Sequence, residues 1–126
     1  MPVEAANLDV AAAEYGVTLA AVAGHPPVID LVHLGLGADG HTASLVPGDP
    51  VQEVDDRDVA LTGPYQGRRR MTLTFPAINR ARRILFVTGD VAGTEAERFL
   101  EETGCRWLAK PFRLRDLLRT ATEILA

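Results

Sequence analysis

The sequence predicts an α/β fold, a mostly parallel sheet flanked by helices of the Rossmann-like or flavodoxin-like kind. Two nearly continuous apolar runs, Val28–Leu36 and Arg83–Thr88, have the length and composition of buried parallel strands. Segments whose apolar residues recur at helical spacing alternate with these and other strands, which is the order of a layered sheet. With 126 residues, of which 47% are hydrophobic and 24% charged, the chain is large enough for one core.

Apolar spacing and turn residues place the individual elements. Helices are predicted at 7–23, 76–81, 93–103 and 113–125. Strands are predicted at 28–36, 58–62, 70–75, 83–88 and 106–109. The segment 35–50 contains four glycines and two prolines, so it is predicted to be mainly loop. His33 lies inside an apolar strand, and we expect a core histidine there.

Composition excludes several classes of protein. No apolar run reaches the roughly eighteen residues of a membrane span, and the first residues do not resemble a signal peptide, so we expect a cytoplasmic protein with no membrane partner. The single cysteine, Cys105, excludes an internal disulfide and paired-cysteine metal sites. A net charge of −4 argues against nucleic-acid binding. The charge is uneven, because residues 1–65 carry −9 and residues 66–126 carry +5.

The strongest functional signal is the glycine-rich segment that follows the first predicted strand. Its glycines match the GxGxxG pattern of dinucleotide sites, but Pro47 and Gly48 leave no room for the helix that such a site requires. Asp39 and His41 instead fit a hydrolase, in which the imidazole takes a proton from water and glycine N–H groups bind the oxyanion. The alternative is an Asx turn at Asp39 with His41 facing solvent.

Two longer blocks, LGLGADGHTASLVPGDP (34–50) and VALTGPYQGRRRMTLTFPAINRARRIL (59–85), resemble the C-terminal half of the 6-phosphogluconolactonase family. The related glucosamine 6-phosphate isomerases share only the GxGxDGH part. The resemblance implies a hydrolase that opens 6-phosphoglucono-1,5-lactone to 6-phosphogluconate, in the pentose phosphate pathway, without metal or cofactor. It implies that His41 is the base and that Asp39 assists it. It also implies substrate contacts by Gly37, Gly40, Thr42, Ser44 and, near the phosphate, Arg70.

The end of the chain resembles a second family. ILFVTGDVAGTEAERFLEETGCRWLAKPFRLRDLLRTATEILA (84–126) is similar to the last two strand and helix units of response-regulator receiver domains. The resemblance implies that Thr88 corresponds to the switch hydroxyl of that family. Lys110 would correspond to the lysine that contacts its phosphoryl group. The acidic pair and phosphoacceptor aspartate of receivers have no counterpart in residues 1–83.

Together these resemblances predict two partial domains, a lactonase-like segment at 1–83 and a receiver-like segment at 84–126, sharing one core. Because the lactonase family has further substrate contacts in an N-terminal half that these residues do not match, we expect impaired hydrolysis by this chain alone. The alternatives are a receiver-like interaction module without a phosphoacceptor and an inactive chimera. Unpaired strand edges also predict self-association.

Overall fold

The computed structural model describes residues 8–37, 39–64, 66–89 and 94–126. The helices in these residues are α1 (Leu8–Ala23), α2 (Phe75–Asn79), α3 (Glu95–Thr103) and α4 (Leu114–Leu125). The strands are β1 (Val32–Leu36), β2 (Val59–Leu61), β3 (Met71–Leu73), β4 (Ile84–Thr88) and β5 (Arg106–Ala109), and Pro50–Glu53 form a 3-10 helix that the sequence did not predict. The predicted first residues of two helices, Asn7 and Gly93, lie outside the described residues.

The chain divides into two compact units. The first unit comprises the described residues of Met1–Ile29 and Ser44–Arg80, and the second unit comprises those of Asp30–Ala43 and Ala81–Ala126. β1, β4, β5, α3 and α4 belong to the second unit, and the remaining elements belong to the first. Each unit therefore combines segments that are distant in the sequence.

A three-stranded parallel sheet, in the order β1-β4-β5, forms the second unit. β1 and β4 pair in register from Val32 opposite Ile84 to Leu36 opposite Thr88. This pairing confirms the prediction of a mostly parallel sheet that contains both apolar runs. Of those two strands only β4 is central, because β1 lies at the edge of the sheet among the described residues. The pairing also joins segments on both sides of residue 83.

β1 is shorter and more exposed than its apolar composition predicts. The strand begins at Val32, and burial alternates along it, with Leu34 and Leu36 buried and His33 and Gly35 exposed. Successive side chains of a strand point to opposite faces, and only one face of β1 is covered. The prediction of a core histidine at position 33 is therefore wrong.

β4 carries the core of the second unit. Leu85 is completely buried and Phe86 is 4% exposed. The ring of Phe86 meets that of Phe99 on α3 edge to face, with 5.4 Å between centroids, a favourable arrangement of aromatic quadrupoles. Gly104 ends α3 in the left-handed conformation (φ 65°), as its position after the last helical residue predicts.

In the first unit, β2 and β3 form an antiparallel pair against which α1 packs. Ala12 of α1, Val59 and Met71 form a small buried cluster between these elements. The hydroxyl of the fully buried Thr74 donates to the Arg57 carbonyl at 2.8 Å, so no buried donor is left unsatisfied there. Among the described residues, no helix is long and apolar enough to cross a membrane.

The carboxyl ends of β1 and β4 are held together by a side chain as well as by the backbone. Thr88 is 2% exposed, and its hydroxyl donates to the Leu36 carbonyl at 2.9 Å. This bond fixes the point at which β1 passes into the glycine-rich loop. A buried hydrogen bond contributes roughly 1 kcal/mol, and an unsatisfied buried carbonyl costs more.

We expect Thr88→Val to lower the free energy of unfolding by about 1–2 kcal/mol, because it leaves the Leu36 carbonyl without this donor. Urea denaturation followed by circular dichroism measures the change. Thr122→Val is the matched control, since the Thr122 hydroxyl is exposed and bonds only within α4. That control is expected to shift stability by less than about 0.5 kcal/mol. Equal midpoints for Thr88→Val and the unsubstituted chain would contradict this role.

Candidate active site

The loop that follows β1 folds back on itself within the second unit. The Gly37 N–H donates to the His41 carbonyl at 2.9 Å, and the Gly40 N–H donates to the Gly37 carbonyl at 2.9 Å. The Thr42 hydroxyl closes the loop by donating to the Gly35 carbonyl at 2.8 Å. Both glycine N–H groups are therefore engaged inside the loop and do not face a ligand, unlike the oxyanion donors that the sequence predicts.

Asp39 and His41 form a hydrogen-bonded pair on this loop. Asp39 Oδ1 accepts the backbone N–H of His41 at 3.1 Å and lies 2.5 Å from His41 Nδ1. The first contact is an Asx turn, and the second is the contact between ring and carboxylate that the hydrolase hypothesis requires, so the geometry of both alternatives is present at once. A proton on Nδ1 directed at the carboxylate leaves the lone pair of the neutral ring on Nε2.

The hydrogen bonds from His41 also shift the pKa of Asp39. The side-chain bond from His41, followed by the bond from its backbone N–H, lowers the pKa of Asp39 below the ordinary value of 3.8. Because the pKa is lower in the folded chain, the stabilisation is present above that ordinary value and is lost as the pH falls through the folded-state pKa. The carboxylate is thus ionised at neutral pH.

Exposure is the second property of this pair. The side chains of His41 and Asp39 are 34% and 54% exposed. Solvent reaches both groups, which a base acting on water requires. The same exposure keeps the local dielectric high and limits the electrostatic energy of the pair.

Gly37 permits the imidazole to lie against the backbone. A Cβ atom at this position would lie 2.7 Å from both Cε1 and Nδ1 of His41, and 3.0 Å from Asp39 Oδ1. Real Cβ contacts are not that short, so any larger residue must displace the ring or the carboxylate. Gly40 is constrained differently, by a φ of +86° that favours glycine. Gly37 is therefore explained by the space that the His41 ring needs, and Gly40 by its own backbone conformation.

The remaining predicted site residues are divided between the two units. Thr88 is the last residue of β4, Lys110 directly follows the neighbouring strand β5 in the second unit, and the Lys110 N–H donates to the Thr88 carbonyl at 2.6 Å. Ser44 and Arg70 belong to the first unit. The Ser44 N–H donates to the Thr72 hydroxyl at 3.2 Å, and the Arg70 N–H donates to the Thr62 hydroxyl at 2.9 Å. The Arg70 side chain is exposed.

The first unit contains a groove that the sequence did not indicate. Its volume is about 870 Å³, and its walls include Ala12 and Gly16 of α1, Val59 of β2, and His25 with Arg57. Small helical residues that line a groove give the same sequence pattern as small residues in a core, so no signal distinguished them. Within the described ranges, no three His, Cys, Asp or Glu side chains group closely enough to hold a metal ion.

Relatives of this chain include proteins named 6-phosphogluconolactonase. One from Synechocystis is 44% identical over 106 residues, which cover 81% of this chain and 42% of the relative. One from Rattus norvegicus is 43% identical over 79 residues, covering 60% of this chain and 31% of the relative. This chain thus spans less than half the length of these relatives.

Solved structures agree with the sequence matches. The 6-phosphogluconolactonase of Trypanosoma brucei superposes with a TM-score of 0.60 at 27% identity, over 86% of this chain and 52% of that one. The enzyme of Trypanosoma cruzi gives a TM-score of 0.57 at 27% identity, over 79% of this chain and 47% of the other. The similarity extends to the arrangement of helices and parallel strands.

A family model described as glucosamine-6-phosphate isomerases/6-phosphogluconolactonase matches residues 1–108. The match passes residue 83, where the sequence predicts a junction, and none of these comparisons supports a receiver-like segment at 84–126. It includes the GxGxDGH loop and every strand up to Leu108 of β5. Since the model matches well over half of the chain, this protein belongs to the glucosamine-6-phosphate isomerase/6-phosphogluconolactonase family.

Proposed function

We propose that this chain carries the catalytic part of a 6-phosphogluconolactonase, which hydrolyses 6-phosphoglucono-1,5-lactone to 6-phosphogluconate. The observation that supports it most strongly is the 2.5 Å contact between His41 Nδ1 and Asp39 Oδ1. This contact holds Nδ1 of the ring against the carboxylate and leaves Nε2 for the role of base. The family, and the names of the relatives with the same motif, support the choice of substrate.

The proposed reaction is a general-base hydrolysis. His41 Nε2 removes a proton from water as the water oxygen bonds to the lactone carbonyl carbon, giving a tetrahedral oxyanion and an imidazolium. The bond between that carbon and the ring oxygen then breaks, and the imidazolium returns the proton to the departing oxygen. The ionised Asp39 stabilises the imidazolium between the two steps, because an adjacent opposite charge favours the protonated ring.

The other loop residues are assigned supporting roles. Gly37 and Gly40 allow the loop to hold His41 against the backbone, and Thr42 closes the loop on Gly35. Ser44 is proposed as a further substrate contact. Arg70 is proposed to contact the phosphate, which the planar fork of an arginine suits. Its exposed side chain is consistent with that role.

The residues that would position the substrate are proposed to lie mainly in the part of the relatives that this chain does not cover. The chain spans 42% of the Synechocystis relative. Holding a reactant in attack geometry supplies much of an enzyme's acceleration. We therefore infer that this chain by itself opens the lactone little faster than water does, and that its catalytic residues are best assayed beside the remainder of a relative.

The receiver-like alternative has less support. A switch hydroxyl must be free to move toward a phosphoryl group, whereas the Thr88 hydroxyl is buried and bonded to the Leu36 carbonyl. Incubation with acetyl phosphate is expected to leave the mass of the chain unchanged. An aspartyl phosphate that Lys110→Ala abolishes would favour the alternative.

A graft tests the catalytic assignment. Residues 1–108 replace the matching segment of the Synechocystis relative, and lactone opening is followed by proton release after subtraction of the spontaneous rate. We expect the graft to be active and His41→Ala to reduce its rate by about 10²–10⁴-fold, the usual contribution of a general base. His33→Ala is the matched control, because His33 is exposed on β1 and outside the pair. Equal rates in the His41→Ala and His33→Ala grafts would refute the assignment.

The steric role of Gly37 can be tested without turnover. Gly37→Ala is expected to displace His41 from Asp39 and so to raise the pKa of the Asp39 carboxyl toward its ordinary value. Carbon-13 NMR of the carboxyl group, followed against pH, measures this shift. Gly35→Ala is the control, since no atom lies within 4 Å of a Cβ placed there. An unchanged Asp39 titration in Gly37→Ala would show that the loop tolerates the methyl group.

We further propose that the chain self-associates. Among the described residues, no strand pairs with the outer edge of β1, which carries only an isolated bridge from Leu36 to Thr42, and such edges recruit other chains. Residues 1–65 are acidic and residues 66–126 are basic, which favours contact between the acidic part of one copy and the basic part of another. Light scattering after size exclusion is expected to detect a dimer or larger species at micromolar concentration, formed more slowly at high salt. A monodisperse monomer at both salt concentrations would exclude this association.

A further inference from the structure

Three leucines of α4 are exposed, although the helix buries Thr120 on another face. Leu114, Leu118 and Leu125 are 69%, 58% and 54% exposed, whereas Thr120 is 5% exposed. At 3.6 residues per turn, the three leucines lie within about 40° of one another around the helix axis and form a stripe about 16 Å long. We call these three residues the leucine stripe. Isolated exposed leucines are ordinary on protein surfaces, but aligned ones form an apolar contact surface.

The groove of the first unit matches this stripe in length. Its lining residues on α1 extend from Asp9 to Ala20, a helical rise of about 16 Å, and its volume is about 870 Å³. The α1 wall consists largely of small residues, and a Cβ placed on Gly16 would meet no atom within 4 Å. The facing wall includes Leu61 of β2. A groove of this kind accepts the apolar face of an amphipathic helix.

The segments that form the groove are acidic. α1 contains two acidic residues and no basic one, and residues 53–58 contain four acidic residues and one arginine. Arg69 also lines the groove, where its Nε donates to the Thr62 carbonyl at 3.1 Å. Around the groove, acidic residues therefore outnumber basic ones.

The leucine stripe has the opposite surroundings. Residues 110–119, which lead into α4 and form its first half, contain four basic residues and one acidic residue. Among them, Arg115 is exposed and lies between Leu114 and Leu118 in the sequence. Charges of opposite sign on two surfaces speed their encounter and select one partner over others. The chain thus contains both an acidic groove and a basic apolar helix of matching length.

We propose that two copies of the chain associate through these surfaces, with the leucine stripe of one copy lying in the α1–β2 groove of the other. The contact joins two different surfaces, which makes it heterologous. A substitution in either surface breaks the contact, but two copies that carry different defects still share one intact groove and one intact stripe. The contact specifies the self-association proposed above, and it does not depend on the lactone or on His41.

Light scattering after size exclusion, at micromolar concentration and low salt, tests the contact. Leu118→Asp places a charge in the centre of the stripe, and Gly16→Leu fills the groove with a side chain for which space is available. We expect each variant to raise the dissociation constant about tenfold or more, so that each elutes as a monomer. An equimolar mixture of the two variants is expected to form a heterodimer, and high salt is expected to weaken it.

Val22→Asp and Ala21→Leu are the matched controls. They introduce the same side chains at positions that are exposed on α1 and do not line the groove, and they are expected to leave association unchanged. Association that persists in Leu118→Asp and in Gly16→Leu would overturn this contact and leave the edge of β1 as the association surface. A mixture that stays monomeric, or loss of association in either control, would also overturn it. A monomer of the unsubstituted chain at every concentration would do the same and leave the groove to another molecule.

Discussion

The parallel pairing of β1 with β4 is the contact on which the rest of the candidate site depends. The two strands come from segments about fifty residues apart, and their register ends with Leu36 beside Thr88. The buried Thr88 hydroxyl adds a side-chain bond at that end. Because β5 pairs with β4 in turn, the register also fixes the position of Lys110, which follows β5. A slip of one residue would turn every side chain of β1 to the other face and move the loop that follows it.

Within that frame, the chemistry of the loop is local. The Asp39 carboxylate contacts both the backbone and the ring of a residue only two positions away. Such a contact needs little from the rest of the fold, except that Gly37 leave room for the ring. The pair remains partly exposed, so it can orient a histidine and keep the carboxylate ionised but cannot by itself exclude water. The positioning of the proposed substrate would depend on other residues.

The division into two units gives the family membership a structural meaning. The Asp39–His41 pair, Thr88 and Lys110 belong to the second unit, whereas Ser44 and Arg70 belong to the first. The family match includes parts of both units, since it covers residues 1–108. Membership therefore does not depend on the GxGxDGH loop alone. It also does not require a boundary at residue 83, because the sheet of the second unit is built from both sides of that position.

The sequence by itself determined the fold class, the order of the elements and the Asp39–His41 motif. These features depend on apolar periodicity and on contacts between near neighbours, both of which are visible in a linear pattern. Only the tertiary structure decided that His33 is exposed, that the Gly37 and Gly40 N–H groups bond within the loop, and that the Thr88 hydroxyl is buried. It also decided that Lys110 stands at the same sheet edge as His41, since the register between distant strands is set by packing that no single segment encodes.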